Sequence, residues 1–113
     1  MLLRVLQIIA AVGTIATGFV ALIWPQSIGG FTGLRAQDGR STTEIRSAIG
    51  GFFVALGTAP LVLNVPEAYQ MLGMAYLVVG VVRAVSMFVD KSVVQSNIVS
   101  MAVEIVFGVV LVL

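Results

Sequence analysis

The chain has 113 residues, 59% of them hydrophobic, with 10% charged residues and a net charge of +1. That composition sets it apart from soluble domains of the same length, and so small a positive balance excludes a nucleic-acid surface. No cysteine or histidine occurs, which removes disulfides, thiol chemistry, His-based triads and haem or zinc sites built on those residues.

Residues 3–24 form the first expected span, apolar apart from Arg4, Gln7, Thr14 and Thr17. At ~1.5 Å per residue this stretch is long enough to cross a hydrocarbon core of ~30 Å. Its apolar part exceeds a signal-peptide core and more spans follow, so it reads as a retained helix. Trp24 and Pro25 close it, an aromatic at headgroup depth followed by a residue that cannot continue the ladder. Gly13, Thr17 and Ala21 give it a face of small side chains.

Gln26 to Thr42 reads as the longest polar connection, with four glycines alongside Arg35, Asp38 and Arg40. Gly29-Gly30 is not a phosphate cradle, because no Gly-Lys-Ser/Thr ending follows and no strand precedes it. Ser41 with Glu44 three residues later fits a capping box and places the next helix start at Ser41 or Thr42.

The second span is 43–63. Ser47, Gly51, Ala55 and Ala59 recur at steps of four, so this side is expected to be the helix-packing face. Glu44 and Arg46 stand at its mouth, two positions apart and therefore on different sides of the helix. Asn64 to Glu67 is a short turn, and the third span, 68–89, contains Arg83. Asp90 to Ser96 turns again into a fourth span, 97–113, interrupted by Glu104. The expected architecture is all-α: an integral membrane four-helix bundle with up-down-up-down antiparallel topology, forming one domain over 1–113. The loops bearing Arg35, Arg40 and Lys91 are assigned to the cytoplasm by the positive-inside tendency, and both termini to the outside.

Arg83 precedes Asp90 by seven residues and Glu104 follows Asn97 by seven, so a turn between them brings both charges to one depth. A lone ion at bilayer depth costs ~2.5–3.5 kcal/mol on insertion scales, which favours pairing. The expectation is an intramembrane cluster of Glu44, Arg46, Arg83 and Glu104, serving as an architectural clamp or as a ligand or proton site. Arg83 has a second possibility, because Tyr76, Arg83 and Asp90 follow one side of the helix and its side chain could snorkel to the aqueous loop. Met71, Met74, Met87 and Met101 read as packing residues, and Glu67 and Asp90 as solvated span ends. No catalytic set, metal box or cofactor motif occurs.

Thr43-Glu44-Ile45-Arg46, Gly50-Gly51, Arg83 and Glu104, with Gly18-Phe19 and Trp24-Pro25, resemble an uncharacterised bacterial family of small four-helix membrane proteins. It is a domain-of-unknown-function family of the DoxX-like group. The resemblance implies a four-helix membrane bundle in a bacterial inner membrane and no established reaction. The leading functional expectation is a non-enzymatic accessory or a binder of lipid or another hydrophobic ligand. A homo-oligomer or a subunit of a membrane complex is expected as its assembly. A proton-coupled exporter using Glu104 is the alternative, although the four-helix multidrug exporters keep their key glutamate in the first helix. An intramembrane isomerase or cyclase using Glu104 as general acid is the third reading.

Overall fold

The computed structural model describes residues 1–113, which form helices and no strands. In chain order they are α1 (Leu2–Ile23), a single 3₁₀ turn at Pro25–Ile28, the short α2 (Gly29–Thr32), α3 (Gly39–Leu63), α4 (Pro66–Val89) and α5 (Gln95–Val112). Of these, α1, α3, α4 and α5 are long and apolar enough to cross a membrane. Their most apolar windows are only 17 to 33% buried within the chain, so most apolar side chains point outward. On α4, Val78, Val81, Val82, Val85 and Phe88 are all more than half exposed.

Contacts divide the chain into two units, Ile8–Asn64 and Val65–Leu113 with Met1–Gln7. In the first unit α3 runs antiparallel to α1. Gly57 meets Ala11 and Ile15, while Gly50 meets Leu22. These approaches leave no space for a side chain: a Cβ on Gly57 would lie 2.5 Å from the Ala11 carbonyl oxygen, and one on Gly18 2.7 Å from the Gly50 oxygen. Backbones this close gain dispersion contacts with each other that a wider separation would forfeit.

The packing face is therefore not the one expected. Ser47, Gly51 and Ala55 are exposed and Ala59 is half-buried, whereas Gly50, Gly57 and Pro60 are buried. Two physical reasons account for the difference. Glycine permits a closer approach than serine or alanine, and Gly50 and Gly57, seven apart, share a helical face. In addition, Ile45–Gly51 is π-helical, with the Phe52 N–H donating to the Ser47 oxygen five residues back. That widening breaks the step-of-four count through Ser47 and Gly51. On α1 the buried face is Ala11, Thr14, Gly18 and Ala21, and Thr14 satisfies its hydroxyl on the Ala10 oxygen at 2.8 Å. Of the small residues expected there, Ala21 is buried and Thr17 exposed.

The connection between α1 and α3 is also shorter than the sequence suggested. Trp24 and Pro25 end α1, but α2 lies within the expected loop and α3 begins at Gly39. Its cap is Asp38, which accepts the Ser41 N–H at 2.8 Å, while the Ser41 hydroxyl accepts the Asp38 N–H at 3.0 Å. Ser41 thus occupies the N3 position that closes the capping box and not its N-cap. An extended Asp38 with a short acceptor reaches the orphan amides better than a helix begun at Ser41 would allow.

In the second unit α4 and α5 are antiparallel: Gly73 meets Leu111 and Val112, Gly108 meets Leu77, and Gly80 meets Ile105. Tyr76 and Phe107 pack edge to face at 5.5 Å. The N-terminal segment joins this unit through Arg4, stacked 4.9 Å from the Tyr69 ring centroid, and Gln7, which donates to the Val110 oxygen at 3.1 Å.

Two measurements test this account. Gly57→Ala is expected to lower thermal stability in detergent by about 1–3 kcal/mol through overpacking, whereas Gly51→Ala, whose Cβ meets only the Arg46 oxygen at 3.8 Å, is expected to be neutral or mildly stabilising. Equal losses would reject the glycine-face assignment. The Asp38 carboxyl is held below its ordinary value of 3.8 by the Ser41 amide and hydroxyl. Its contribution is therefore fully present above pH ~4 and lost as pH falls through the lower folded value. Amide exchange at Gly39–Thr42 is expected to quicken, relative to Asp38→Asn, only on that acid side.

Candidate functional site

Arg83 sits on α4 about 9 Å before its end, by helix rise. Glycine at position 80, one turn earlier, lets α5 come close: a Cβ there would meet Ile105 at 2.7 Å and the Glu104 Cβ at 3.4 Å. That proximity places the Glu104 carboxylate within reach of the guanidinium. Arg83 Nε donates to Glu104 Oε1 at 2.8 Å and Nη2 to Oε2 at 2.8 Å, a two-pronged ion pair. The Nη1 group donates to Asn97 Oδ1 at 2.9 Å, and Asn97 Nδ2 donates to the Ser92 carbonyl at 2.9 Å.

The pair is unequally covered. The Glu104 side chain is 11% exposed and that of Arg83 32%. Both carboxylate oxygens are engaged, whereas the guanidinium has five N–H groups and spends three on these bonds. Arg83 also lines a cleft of about 420 Å³, together with Val78, Val79 and Val82 among its apolar residues and Ser86, Asp90 and Asn97 among its polar ones.

The turn that shapes the far end of this cleft is specified locally. The Asp90 N–H closes α4 on the Ser86 oxygen at 2.7 Å, Lys91 takes a left-handed conformation at φ 53°, and the Ser92 N–H returns to the Met87 oxygen at 2.9 Å. This is a Schellman-type ending, and it points the Ser92 carbonyl at Asn97.

Of the four charges expected to converge, Arg83 and Glu104 meet. Glu44 is taken instead by Arg40 at 2.7 Å, both side chains being more than half exposed, and Arg46 is exposed. The reason is the earlier start of α3, which puts Arg40 on the helix four residues before Glu44, the spacing at which opposite charges meet locally. Asn97 and Asp90 were missed as members of the site. Asn97 carried a signal, being a polar residue seven positions before Glu104 and hence on its face.

Arg83 and Glu104 leave α4 and α5 held by a desolvated pair, and breaking one side strands the other. Glu104→Gln is expected to destabilise the protein toward the lower end of about 3–5 kcal/mol, since Arg83 retains some access to polar surroundings. The double replacement Arg83→Met with Glu104→Leu is expected to recover most of the loss. Thermal unfolding in detergent reads both, and an unchanged single variant would remove the clamp.

Comparison with known proteins adds one match. No curated protein and no solved structure matches the chain. A family model described as a domain of unknown function, DUF4345, matches residues 2–113, and with that coverage the chain belongs to the DUF4345 family.

Proposed function

We propose that the chain is a multi-pass membrane protein of non-enzymatic role, which holds one amphiphilic lipid-type molecule against α4 and α5. The observation that carries the reading is the chemical gradient along the cleft, from Val78, Val79 and Val82 to Arg83, Ser86 and Asp90. An acyl chain matches the first part and a polar head the second. Pockets that hold small ligands combine an apolar wall with a few convergent polar groups, and about 300–1,000 Å³ is their usual size. Two N–H groups of Arg83 remain for such a head while the ion pair stays closed.

The setting we propose for it is a bacterial plasma membrane, with the termini outside and a kinship to the DoxX-like group. Assembly as a homo-oligomer or within a larger complex would use the exposed small residues Ser47, Gly51 and Ala55 of α3, since small residues favour close helix approach.

A proton-coupled exporter has less support. Both Glu104 oxygens accept from Arg83, so a transported proton would have to break two bonds before it could bind. The same occupancy weighs against Glu104 as the general acid of an isomerase or cyclase. Substrate-dependent proton movement in proteoliposomes, abolished in Glu104→Gln, would replace the present reading with the exporter.

Protein extracted in a mild detergent is expected to retain about one lipid-type molecule per chain through repeated washing, by lipid extraction and mass spectrometry. Val82→Trp, which fills the apolar part of the cleft while keeping Arg83 and Glu104 in the sequence, is expected to remove most of it. Wild-type particles free of any such molecule would overturn the proposal.

A further inference from the structure

The charges around the cleft narrow the class of head that it accepts, given the lipid-holding reading on which this inference rests. Arg83 and Glu104 cancel each other, so the guanidinium edge offers donors without a net positive charge. The ionisable groups that line the cleft are Arg83 and Asp90, and with Arg83 neutralised by Glu104 outside the lining the balance left is that of Asp90, which is negative. Lys91, the next residue, is exposed and does not line it. A purely anionic head would meet donors at Arg83 and repulsion from Asp90. A purely cationic head would meet the reverse.

We propose that the cleft selects a phospholipid whose phosphate is followed by a primary ammonium, as in phosphatidylethanolamine. The phosphate oxygens accept from the two remaining N–H groups of Arg83 and from the Ser86 hydroxyl, a charge-assisted arrangement suited to a planar guanidinium. The ammonium donates to the Asp90 carboxylate at the end of α4. One acyl chain follows Val78, Val79 and Val82, which are 46 to 62% exposed and leave that wall uncovered by the chain itself. A quaternary ammonium has no N–H to give to Asp90, and a glycerol head has no positive charge, so each satisfies only part of the site.

The test uses the full chain reconstituted into vesicles of phosphatidylethanolamine, phosphatidylglycerol and phosphatidylcholine in equal amounts with identical acyl chains. The lipid that stays bound after detergent extraction is then counted by native mass spectrometry. The expected result is enrichment of phosphatidylethanolamine by about fivefold over each of the others, the effect of one exposed charge-assisted contact. Asp90→Asn is expected to abolish the preference without abolishing binding, and Asp90→Glu to keep it. Glu67→Gln, at the opposite end of α4, is expected to leave it unchanged. Equal retention of the three lipids by the wild type, or a preference that survives in Asp90→Asn, would overturn the headgroup assignment while leaving the lipid-holding reading intact. Retention of no phospholipid at all would overturn both.

Discussion

The fork between Arg83 and Glu104 is the constraint from which the order of α4 and α5 follows. A carboxylate on a helix this apolar is stable only if its charge is met, and a guanidinium meets it with two parallel bonds at 2.8 Å. Two prongs restrict sliding and rotation together, because a shift of α5 by one residue carries Glu104 about 100° around its helix and out of reach. Gly80 lies beside the same contact, where a Cβ would meet the Ile105 Cδ1 methyl at 2.7 Å and oblige that side chain to move. Asn97 then fixes the third edge of the guanidinium and ties it to the turn through Ser92. The polar network and the glycine contacts at Gly73 and Gly108 thus specify the same pairing by different physics.

A different balance holds α1 against α3. No ion pair is recorded between them, and the approach is set by what is missing from the backbone. Gly18, Gly50 and Gly57 open three places where one helix touches the main chain of the other. Glycine is a poor helix former, but in a long helix of apolar residues its cost is offset by the contacts that a shorter separation allows. The π-helical turn at Ile45–Gly51 lies at one end of this interface and includes Gly50. Its wider winding presents Gly50 to Leu22 while Gly51, the adjacent residue, faces away.

How much of this could be read from the residues follows from the same distinction. The four long apolar helices were legible because apolar length is additive along a chain and needs no partner to be recognised, whereas the short α2 was not. The Arg83–Glu104 pair was legible because two lone ions at equal distance from one turn have few alternatives. The partners of Glu44 and the packing face of α3 were not legible, the first because α3 starts earlier than expected and the second because of its glycines and its π-helical turn. Moving that start from Ser41 to Gly39 gives Glu44 a neighbour in Arg40, and the π-helical turn alters the count through Ser47 and Gly51. Two equally small faces were available, and the pattern of small residues does not distinguish glycine from alanine, although a backbone approaching to within 3 Å of a Cβ position does.

In the lipid-holding role we propose, a group already satisfied by its ion pair would also serve as a site because its donors are unequally used. Glu104 is used on both oxygens and sits behind Arg83, which leaves it the support of the network. Arg83 is used on three of its five N–H groups and itself lines the cleft. An unpaired arginine there would attract any anion strongly and would also be costly to keep in apolar surroundings. Paired, it keeps the geometry of a guanidinium with little of its long-range field, so in the proposed site recognition would pass to short-range hydrogen bonds and to the sign of Asp90. A clamp of this kind would not compete with binding: the bonds that align α4 with α5 are the ones that would hold the remaining N–H groups of Arg83 in a fixed orientation toward whatever the apolar wall admits.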